Sequence, residues 1–378
     1  KGVVYNWDNV NFMVPLCARE LNKLSGNKSI QDKVFHYLPF CFAGSRIVLW
    51  TTLFRGNPLM MSTDLNQLKD ELQAADPSYY LNVPTLLERI RRGVNQVLDD
   101  RGGMALKLYR TGESAYRKLL EGKGGMVDRS ALAMAKRFVF PAIKKKIGPS
   151  LEFLICGSAP LSEETQRWFE MIGIPVYQVY GLTETTAIVT MDQPGQARPG
   201  YVGQCIDGIT MKLTDEGELI CHGTNICAGY WNRPEATNDA IVDGWFHTGD
   251  QFEVDEAGNW RIIGRVKNLL VPESGHNVAP EPLEQAILES DERIEQAIVI
   301  GHGRPFLTAI VTGEMSDEAL IKAVAQVNDT LPHYRQIRRH FLSGEVFTPE
   351  NGLLTANQKM RRRVIESHFS SQIEGMYQ

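Results

Sequence analysis

The sequence predicts an α/β protein with a β-rich segment in its middle and an α+β segment at its end. Between residues 34 and 200, short apolar runs alternate with stretches of helical periodicity, which is typical of a layered α/β fold. Between residues 201 and 265, short β-prone runs are separated by turns such as Asp215-Glu-Gly217. A chain of 378 residues is long enough for two or three domains.

The third segment begins near Lys267, where we place a domain boundary. Apolar runs at 297–301 and 307–312 predict strands, and residues 317–327 predict a helix. Pro282 is predicted to open another helix, because proline is well tolerated at the first helical position. The predicted domains are residues 1–200, 201–266 and 267–378.

Two helices of the first segment carry clear signals. Ser162 is predicted to cap a helix from Glu163 to about Ile172, which Gly173 ends. Pro84 is predicted to begin a second helix. The apolar residues predicted to share one face of that helix are Leu86, Leu87, Ile90, Val94 and Val97.

Composition is that of a globular protein and gives no support for binding to nucleic acid. The chain is 43% hydrophobic and 22% charged, with a net charge of −5. Its six cysteines form no Cys-x-x-Cys pair, which predicts reduced core residues in a cytoplasmic protein. The eight histidines show no metal-ligand spacing, and no apolar run approaches the ~20 residues of a spanning helix.

The most informative motif is Tyr180-Gly181-Leu182-Thr183-Glu184, which follows a β-prone run at 174–179. It places an aromatic ring, a glycine turn, a hydroxyl and a carboxylate side by side. These are parts that can hold a purine, its phosphates and a magnesium ion. Upstream, Gly157–Ser162 follows an apolar run, and its small residues would let a flat ring lie against the backbone.

Further motifs follow in a fixed order along the chain. They are Gly217–Ile220 with Gly229-Tyr230, Gly244–Asp250, Gly264–Lys267 with Ser274–Asn277, and Asn351–Thr355 with Lys359.

This ordered set resembles the adenylate-forming superfamily, which includes acyl-CoA synthetases, luciferases and peptide-synthetase adenylation domains. The resemblance covers nearly the whole chain. Residues 76–148, 275–284 and 351–355 look most like the long-chain fatty acyl-CoA synthetases. The resemblance implies part of a large α/β AMP-binding domain, a small β subdomain and a small mobile α+β C-terminal domain.

The resemblance also implies roles in the large domain. Tyr180 would stack on the adenine, beside Gly181. Thr183 would contact phosphate, and Glu184 would bind Mg²⁺, a hard cation that prefers oxygen. The adenine would also be framed by Gly157, Ser158, Ala159 and Pro160.

Later motifs supply the remaining implied roles. Asp250 would accept hydrogen bonds from the ribose hydroxyls, and Arg265 would reach the ribose or a phosphate. Lys359 would bridge the carboxylate and the phosphate during adenylation. Lys267 would be the joint about which the C-terminal domain turns, bringing Lys359 and then the Gly275 segment to the site.

Each residue also has a purely structural interpretation. An Asp after Thr-Gly, such as Asp250, often forms a turn. A tyrosine such as Tyr180 often packs in a core. Lys359 lies beside Arg361–Arg363, and a basic run is usually a solvated face. Lys144–Lys146 is interpreted as a helix surface, with contact to acidic membrane lipid as the alternative.

The implied reaction is ATP-dependent activation of a long-chain fatty acid, followed by transfer of the acyl group to CoA. One alternative is an adenylation domain that loads a carrier protein. Another is a non-catalytic homologue that binds nucleotide or acyl ligand. The presence of Glu184, Asp250, Arg265 and Lys359 argues against the second alternative.

The chain departs from the family pattern in three places. The family's phosphate loop ends in Pro-Lys-Gly, whereas this chain opens with Lys1-Gly2. We therefore expect the chain to be part of a longer protein and residues 1–378 alone to be inactive or nearly so. Phe42 stands where many members carry a histidine at the acyl site, and Asn268 replaces a common acidic residue after Lys267.

Overall fold

The computed structural model describes residues 1–26, 31–355 and 359–378. The chain forms two compact units. The first comprises Lys1–Asp215, Leu219–Thr248 and Glu253–Ile262, and the second comprises Glu216–Glu218, Gly249–Phe252 and Ile263–Gln378.

The chain contains both α-helices and β-strands along its whole length. The α-helices are Trp7–Leu24 (α1), Ala43–Phe54 (α2), Leu68–Ala75 (α3), Pro84–Arg101 (α4), Gly103–Leu120 (α5), Met126–Phe138 (α6), Phe140–Ile147 (α7), Glu163–Met171 (α8), Pro234–Ala240 (α9), Pro280–Ser290 (α10), Asp317–Asn328 (α11), Arg362–His368 (α12) and Ser370–Tyr377 (α13). The strands are Val3–Val4 (β1), Val34–His36 (β2), Leu59–Met61 (β3), Tyr79–Asn82 (β4), Leu154–Cys156 (β5), Val176–Tyr180 (β6), Thr190–Met191 (β7), Gln204–Cys205 (β8), Thr210–Leu213 (β9), Glu218–His222 (β10), Gly229–Tyr230 (β11), Ile241–Val242 (β12), Trp245–Val254 (β13), Trp260–Arg265 (β14), Ile294–Ile300 (β15), Leu307–Gly313 (β16) and Ile337–Ser343 (β17).

A seven-stranded sheet in the order β3-β2-β4-β5-β6-β7-β8 organises the first unit. Strands β3, β2, β4, β5 and β6 are parallel, whereas β7 and β8 add antiparallel pairs. Large side chains from this sheet and its helices form one core, which includes Tyr80, Tyr109, Leu154 and Phe169. This arrangement confirms the predicted α/β class.

Both helices predicted from capping signals are present. The Ser162 side chain accepts a hydrogen bond from the Thr165 backbone N–H (3.2 Å) at the start of α8. Pro84 opens α4, whose Leu86 and Leu87 are buried. Val97, at the far end of the predicted apolar face, is 50% exposed, and Leu98 packs against the core.

The predicted β-rich middle contains a five-stranded sheet. Its order is β12-β13-β10-β9, with β14 beside β13. The β9–β10 pair is antiparallel, with Leu219 opposite Leu213. Along β13, buried positions alternate with partly exposed ones from Trp245 to Phe252, as in a sheet with one face packed and the other partly solvated.

The second unit has a three-stranded sheet in the order β15-β16-β17. Two clusters of buried side chains pack with it, one including Leu283, Val299 and Leu320 and the other including Ile310 and Ile365. The helix predicted to open at Pro282 begins two residues earlier, at Pro280. A proline is equally suited to that first position, because the N–H it lacks would have no helical partner there.

All six cysteines are free, as expected, but they are not all core residues. Cys41 is exposed and Cys205 is partly exposed, while the other four are buried. Among the described residues, no helix combines the length and the apolar character needed to cross a bilayer.

Candidate functional site

The two motifs of the large domain meet at one edge of the seven-stranded sheet. Strands β5 and β6 pair in parallel, with Leu154 opposite Val176 and Cys156 opposite Gln178. Gly157 follows the end of β5, and Gly181 follows the end of β6. Because the carboxyl ends of parallel strands share an edge, the two loops are neighbours. In α/β folds this edge is where ligands usually bind.

The loop after β5 forms a small exposed ledge. A Cβ at Gly157 would lie only 2.8 Å from Cγ2 of Val179, so this position needs a glycine. Ser158 has a φ of 74°, in the left-handed region that costs a non-glycine residue free energy. Ser158, Ala159 and Pro160 are exposed. A flat ring could therefore lie against this backbone without displacing a large side chain.

The loop after β6 is folded back tightly on itself. A Cβ at Gly181 would overlap the carbonyl oxygen of Ala187. Thr186 and Ala187 have φ values of 50° and 84°, a second concentration of left-handed backbone next to the ledge. The turn Thr183–Thr185 is held by a hydrogen bond that the Leu182 N–H donates to Thr185 Oγ1 (2.9 Å). Thr183 is consequently exposed at the sheet edge.

Tyr180 is more buried than a stacking role suggests. Only 7% of the residue is exposed, and its backbone pairs with Thr190 of β7. Its carbonyl also accepts a hydrogen bond from the Val189 N–H (2.8 Å). Tyr180 therefore serves the core as well, and its stacking on a purine stays a prediction.

Glu184 is held by residues that sequence reasoning did not assign. The Tyr230 hydroxyl donates to Glu184 Oε1 (2.7 Å), and the Cys227 N–H donates to the Glu184 carbonyl (2.8 Å). Burial, and then the hydrogen bond to Glu184, raise the pKa of Tyr230 above its usual range. The phenol therefore keeps its proton and remains a donor. The Gly229-Tyr230 motif was the available signal, but its long-range partner was not predictable.

A second tyrosine supports the same turn. The Tyr5 hydroxyl donates to the Thr183 carbonyl oxygen (2.7 Å). Burial is the main cause that raises the pKa of Tyr5, with nearby Cys227 and Glu184 adding to it. The strand before it, β1, pairs with β11, so Val3 lies opposite Tyr230. The chain's first residues are thus built into the support of the Thr183–Glu184 turn.

The chemistry of this turn fits a magnesium ion that is bound mainly by substrate phosphates, with one carboxylate supplied by the protein. Within residues 1–26, 31–355 and 359–378, no three His, Cys, Asp or Glu side chains are grouped to hold a metal. Glu184 is partly exposed and offers one carboxylate, fixed on one oxygen by Tyr230. Magnesium is commonly bound by one or two carboxylates together with substrate phosphates, so a single acid suffices.

In the second unit, the predicted ribose residues form an ion pair. Asp250 is 5% exposed, and its Oδ1 lies 2.6 Å from Arg265 Nε. The Arg265 side chain is 46% exposed and can extend to a further anion. The Gly249 N–H, next to this pair, donates to Glu218 Oε1 (2.8 Å). Asp250 is therefore a fixed carboxylate, not a freely solvated turn residue.

The remaining predicted residues of the second unit lie on separate turns. Lys267 is exposed in the 3₁₀ turn Val266–Asn268, and the Asn268 amide donates to Glu281 Oε1 (2.7 Å). Gly275 has a φ of +76° with open space around it. Asn268 thus interacts with an acid supplied by α10, a contact that spacing alone did not reveal.

Lys359 comes after the Asn351–Thr355 motif, whose side chains stabilise the local turn at Asn351. The Asn351 carboxamide oxygen accepts hydrogen bonds from the N–H groups of Thr348 (3.0 Å) and Leu353 (3.2 Å). Leu353 and Leu354 are buried in the core of this unit. The Thr355 N–H donates to the Lys359 carbonyl (2.8 Å), and Lys359 itself is exposed.

The segment after Lys359 is anchored by a buried ion pair. Arg362, at the start of α12, contacts the Glu284 carboxylate of α10. Glu284 also accepts a hydrogen bond from the Val299 N–H (2.7 Å). Burial raises the pKa of Glu284, and Arg362 opposes this shift. Of the basic run 361–363, Arg362 is thus a structural residue.

Phe42 lies at the position where α2 begins. It is the N-cap residue of that helix, is partly buried and makes no side-chain capping bond. The phenyl ring of Phe42 cannot titrate or donate a hydrogen bond, unlike the imidazole of a histidine.

Family models and individual relatives both match this chain, and they point to the same enzyme family. The model of the AMP-binding enzyme family matches residues 1–231, and that of the AMP-binding enzyme C-terminal domain matches residues 267–378. The long-chain-fatty-acid–CoA ligase FadD15 of Mycobacterium bovis is 28% identical over 374 residues, covering 92% of this chain and 62% of the ligase. Long-chain-fatty-acid–CoA ligase 5 of Rattus norvegicus is also 28% identical, covering 92% of this chain and 56% of that protein. The chain thus spans about three fifths of the length of these relatives.

Solved structures share the fold. O-succinylbenzoate CoA synthetase from Bacillus subtilis, in complex with ATP and magnesium ion, has a TM-score of 0.67 at 17% identity over 96% of this chain and 66% of its own. ATP-bound MatB from Rhodopseudomonas palustris has a TM-score of 0.69 at 21% identity over 98% of this chain and 65% of its own. Because the family model matches more than half of its length, this chain belongs to the AMP-binding, adenylate-forming enzyme family.

Proposed function

We propose that the protein of which this chain is a part activates a long-chain fatty acid with ATP and transfers the acyl group to CoA. Acid and ATP would give acyl-AMP and pyrophosphate, and the CoA thiol would then displace AMP. The observation that carries the proposal is the Glu184 turn, fixed by Tyr230 beside the exposed ledge of Ser158, Ala159 and Pro160. This arrangement would place an acid suited to Mg²⁺ beside a surface suited to a flat base.

The first half-reaction brings an anionic carboxylate to an anionic phosphate, so the site must offset negative charge. Thr183 is exposed, and its hydroxyl would contact a phosphate. Glu184 would hold Mg²⁺, and this ion when bound neutralises phosphate charge. Asp250, oriented by Arg265, would accept the ribose hydroxyls. Lys359 would place its ammonium between carboxylate and phosphate, for which a compact charge on a flexible stem is suited.

The second half-reaction needs a different surface, because a thiol must now reach the same carbonyl carbon. We propose that Lys267 is the joint between residues 1–266 and a mobile domain of residues 267–378. Turning this domain would withdraw Lys359 and present the Gly275 segment. The open space around Gly275 supports a close approach of its backbone to a ligand.

The length of the acyl chain is the most specific part of the proposal. The curated relatives carry names of long-chain-fatty-acid–CoA ligases, which favours a long apolar substrate. Proteins of the same fold are named for other acids, such as o-succinylbenzoate. Phe42, which stands where the family pattern implies a histidine at the acyl site, would add apolar surface suited to an acyl chain.

The test measures pyrophosphate exchange and thioester formation with the full-length protein and acids from acetate to stearate. Each buried methylene should add roughly 0.8 kcal/mol of binding, so kcat/KM should climb over several carbons and then level off. A peak at short or aromatic acids would exclude the long-chain assignment while leaving adenylation intact. Absence of acid-dependent exchange with every substrate would exclude the enzyme itself, and thioester formation only on a carrier protein would exclude CoA as acceptor.

Replacement of Tyr230 by Phe removes the hydrogen bond that fixes Glu184 Oε1. We expect the Mg²⁺ concentration for half-maximal exchange to rise about tenfold, since groups that orient a metal ligand typically contribute this much. The measurement is a Mg²⁺ titration of exchange at saturating ATP. Tyr334→Phe, at a 41% exposed tyrosine of the second unit, is the matched control and should leave the titration unchanged. An unaltered titration in Tyr230→Phe would remove Glu184 from the metal site.

Replacement of Asp250 by Ala removes the buried carboxylate and leaves Arg265 without its partner. We expect the Kd for ATP to rise at least tenfold, because a hydrogen bond to a charged group contributes roughly 1.5–3 kcal/mol. Calorimetric titration with ATP measures it, and Asp239→Ala, at an exposed aspartate of α9, is the control. Unchanged ATP affinity in a folded Asp250→Ala protein would make the Asp250–Arg265 pair structural only.

A further inference from the structure

Helix α6 has two apolar faces, although a helix at a protein surface needs only one. Its inner face packs on the core through Leu132, buried Ala135 and the following Val139. A second stripe is exposed: Val127, Met134 and Phe138 follow at spacings of seven and four residues, and are 82%, 52% and 68% exposed. Residues at these spacings share one face of a helix. Apolar surface of this kind marks an interaction site.

The stripe continues onto the tip of the α5–α6 hairpin. Met126, at the first position of α6, is 84% exposed, and Leu120, at the end of α5, is 47% exposed. A Cβ at Gly124 would contact the Leu119 side chain, so the connecting loop folds back and keeps these residues close together. The exposed apolar surface therefore covers the outer side of α6 and its tip.

The hairpin is rigidly rooted in the first unit. A Cβ at Gly112 of α5 would collide with Ala135 of α6, so the two helices are in close contact. The Trp168 indole donates to the Tyr109 hydroxyl (2.7 Å), which in turn donates to Asn95 of α4 (2.7 Å). Leu120 lies about 17 Å beyond Tyr109 along the helix axis. The tip thus projects well beyond its anchor, on a fixed support.

Charge around this surface is strongly positive. Residues 84–148 contain 15 Lys and Arg but only 6 Asp and Glu, a net charge of +9, whereas the whole chain has −5. The rest of the chain therefore carries −14. Near the stripe, Lys118 pairs with Asp128 and Lys123 with Glu121, whereas Arg129, Lys136 and Arg137 take part in none of the ion pairs found among the described residues. An apolar helix face among unpaired cations is complementary to an anionic lipid surface.

We propose that α6 and the tip of the α5–α6 hairpin dock on an anionic lipid bilayer. Val127, Met134 and Phe138, with Met126 at the tip, enter the boundary between headgroups and acyl chains. The cations of α5 and α6 contact the lipid phosphates. A fluid bilayer requires no shape complementarity, which suits a convex helix bearing flexible methionines better than a defined protein partner would. The inference does not depend on the proposed reaction.

The test is sedimentation of the purified protein with vesicles of phosphatidylcholine alone and with about three parts in ten of phosphatidylglycerol. We expect at least tenfold tighter binding to the anionic vesicles, and this binding should weaken as salt is added. Equal binding to both vesicles, or to neither, would overturn the proposal.

Two pairs of variants separate the apolar and the charged contributions. Val127→Asp with Phe138→Asp should reduce binding to anionic vesicles more than tenfold, because both apolar side chains are lost from the bilayer boundary. Leu53→Asp with Ile321→Asp, at exposed apolar residues elsewhere, is the matched control. Arg129→Glu with Arg137→Glu should reduce binding at least tenfold, whereas Arg338→Glu with Arg339→Glu, at exposed arginines of β17, should not.

A local probe reports insertion directly. Val127→Cys, labelled with an environment-sensitive dye in a background with Cys41→Ser and Cys205→Ser, should shift to shorter emission wavelength only with anionic vesicles. Binding to polyglutamate or duplex DNA that exceeds vesicle binding, and that Val127→Asp with Phe138→Asp leaves unchanged, would assign the surface to an acidic macromolecule instead. An unshifted label on vesicle-bound protein would likewise exclude docking through α6.

Discussion

Replacement of Lys359 by Ala should slow the adenylation half-reaction about 10²- to 10³-fold. That is the usual loss when one group that stabilises transition-state charge is removed. The Lys359 side chain is exposed, and its backbone carbonyl accepts a hydrogen bond from the Thr355 N–H (2.8 Å), so truncation of the side chain should not disturb the fold. Acid-dependent pyrophosphate exchange measures the first half-reaction. Thioester formation from supplied acyl-AMP measures the second, which we expect to fall by less than tenfold.

The matched control for Lys359 is Arg363→Ala, a neighbouring exposed cation. We expect that variant to retain adenylation within a few-fold of the parent protein. If both variants lost activity equally, a general positive field would explain the effect, and no single bridging ammonium would be needed. Equal loss of both half-reactions in Lys359→Ala would contradict its assignment to adenylation alone.

Replacement of Gly181 by Ala should destabilise the protein by about 3 kcal/mol or more, because the added methyl group has no space. It would overlap the Ala187 carbonyl oxygen, and Ala187 is already in the left-handed region with a φ of 84°. Relief requires movement of the loop that carries Thr183 and Glu184. We therefore expect loss of ATP binding as well as a lower free energy of unfolding, measured by denaturant titration.

Gly93→Ala makes the same chemical change at a neutral site. Gly93 lies inside α4, and a Cβ added there would have open space, with no neighbouring atom within 4 Å. Alanine should stabilise such a helical position by roughly 0.5–1 kcal/mol. A Gly181→Ala protein with the stability of the Gly93→Ala protein would show that the 181–187 loop tolerates a different conformation.

Local patterns predicted those parts of the fold whose causes are local. The Ser162 cap, the Pro84 helix start and the strands that precede Gly157 and Gly181 all follow from residues within a few positions of each other. The predicted start of α10 was wrong by only two residues. Pro280, not Pro282, opens α10, because both prolines suit a first helical turn.

Sequence by itself determined which side chains could serve an adenylate-forming site, since motif order and residue chemistry are properties of the chain. Only the tertiary structure decided how those side chains are held. Tyr230 reaches Glu184 across 46 positions, and Arg362 reaches Glu284 across 78. The exposure of the second apolar face of α6 was equally invisible, because a periodic pattern does not say which side of a helix the core will cover. Such contacts depend on how strands and helices that are distant in sequence pack together, and the spacing of residues along the chain does not determine that packing.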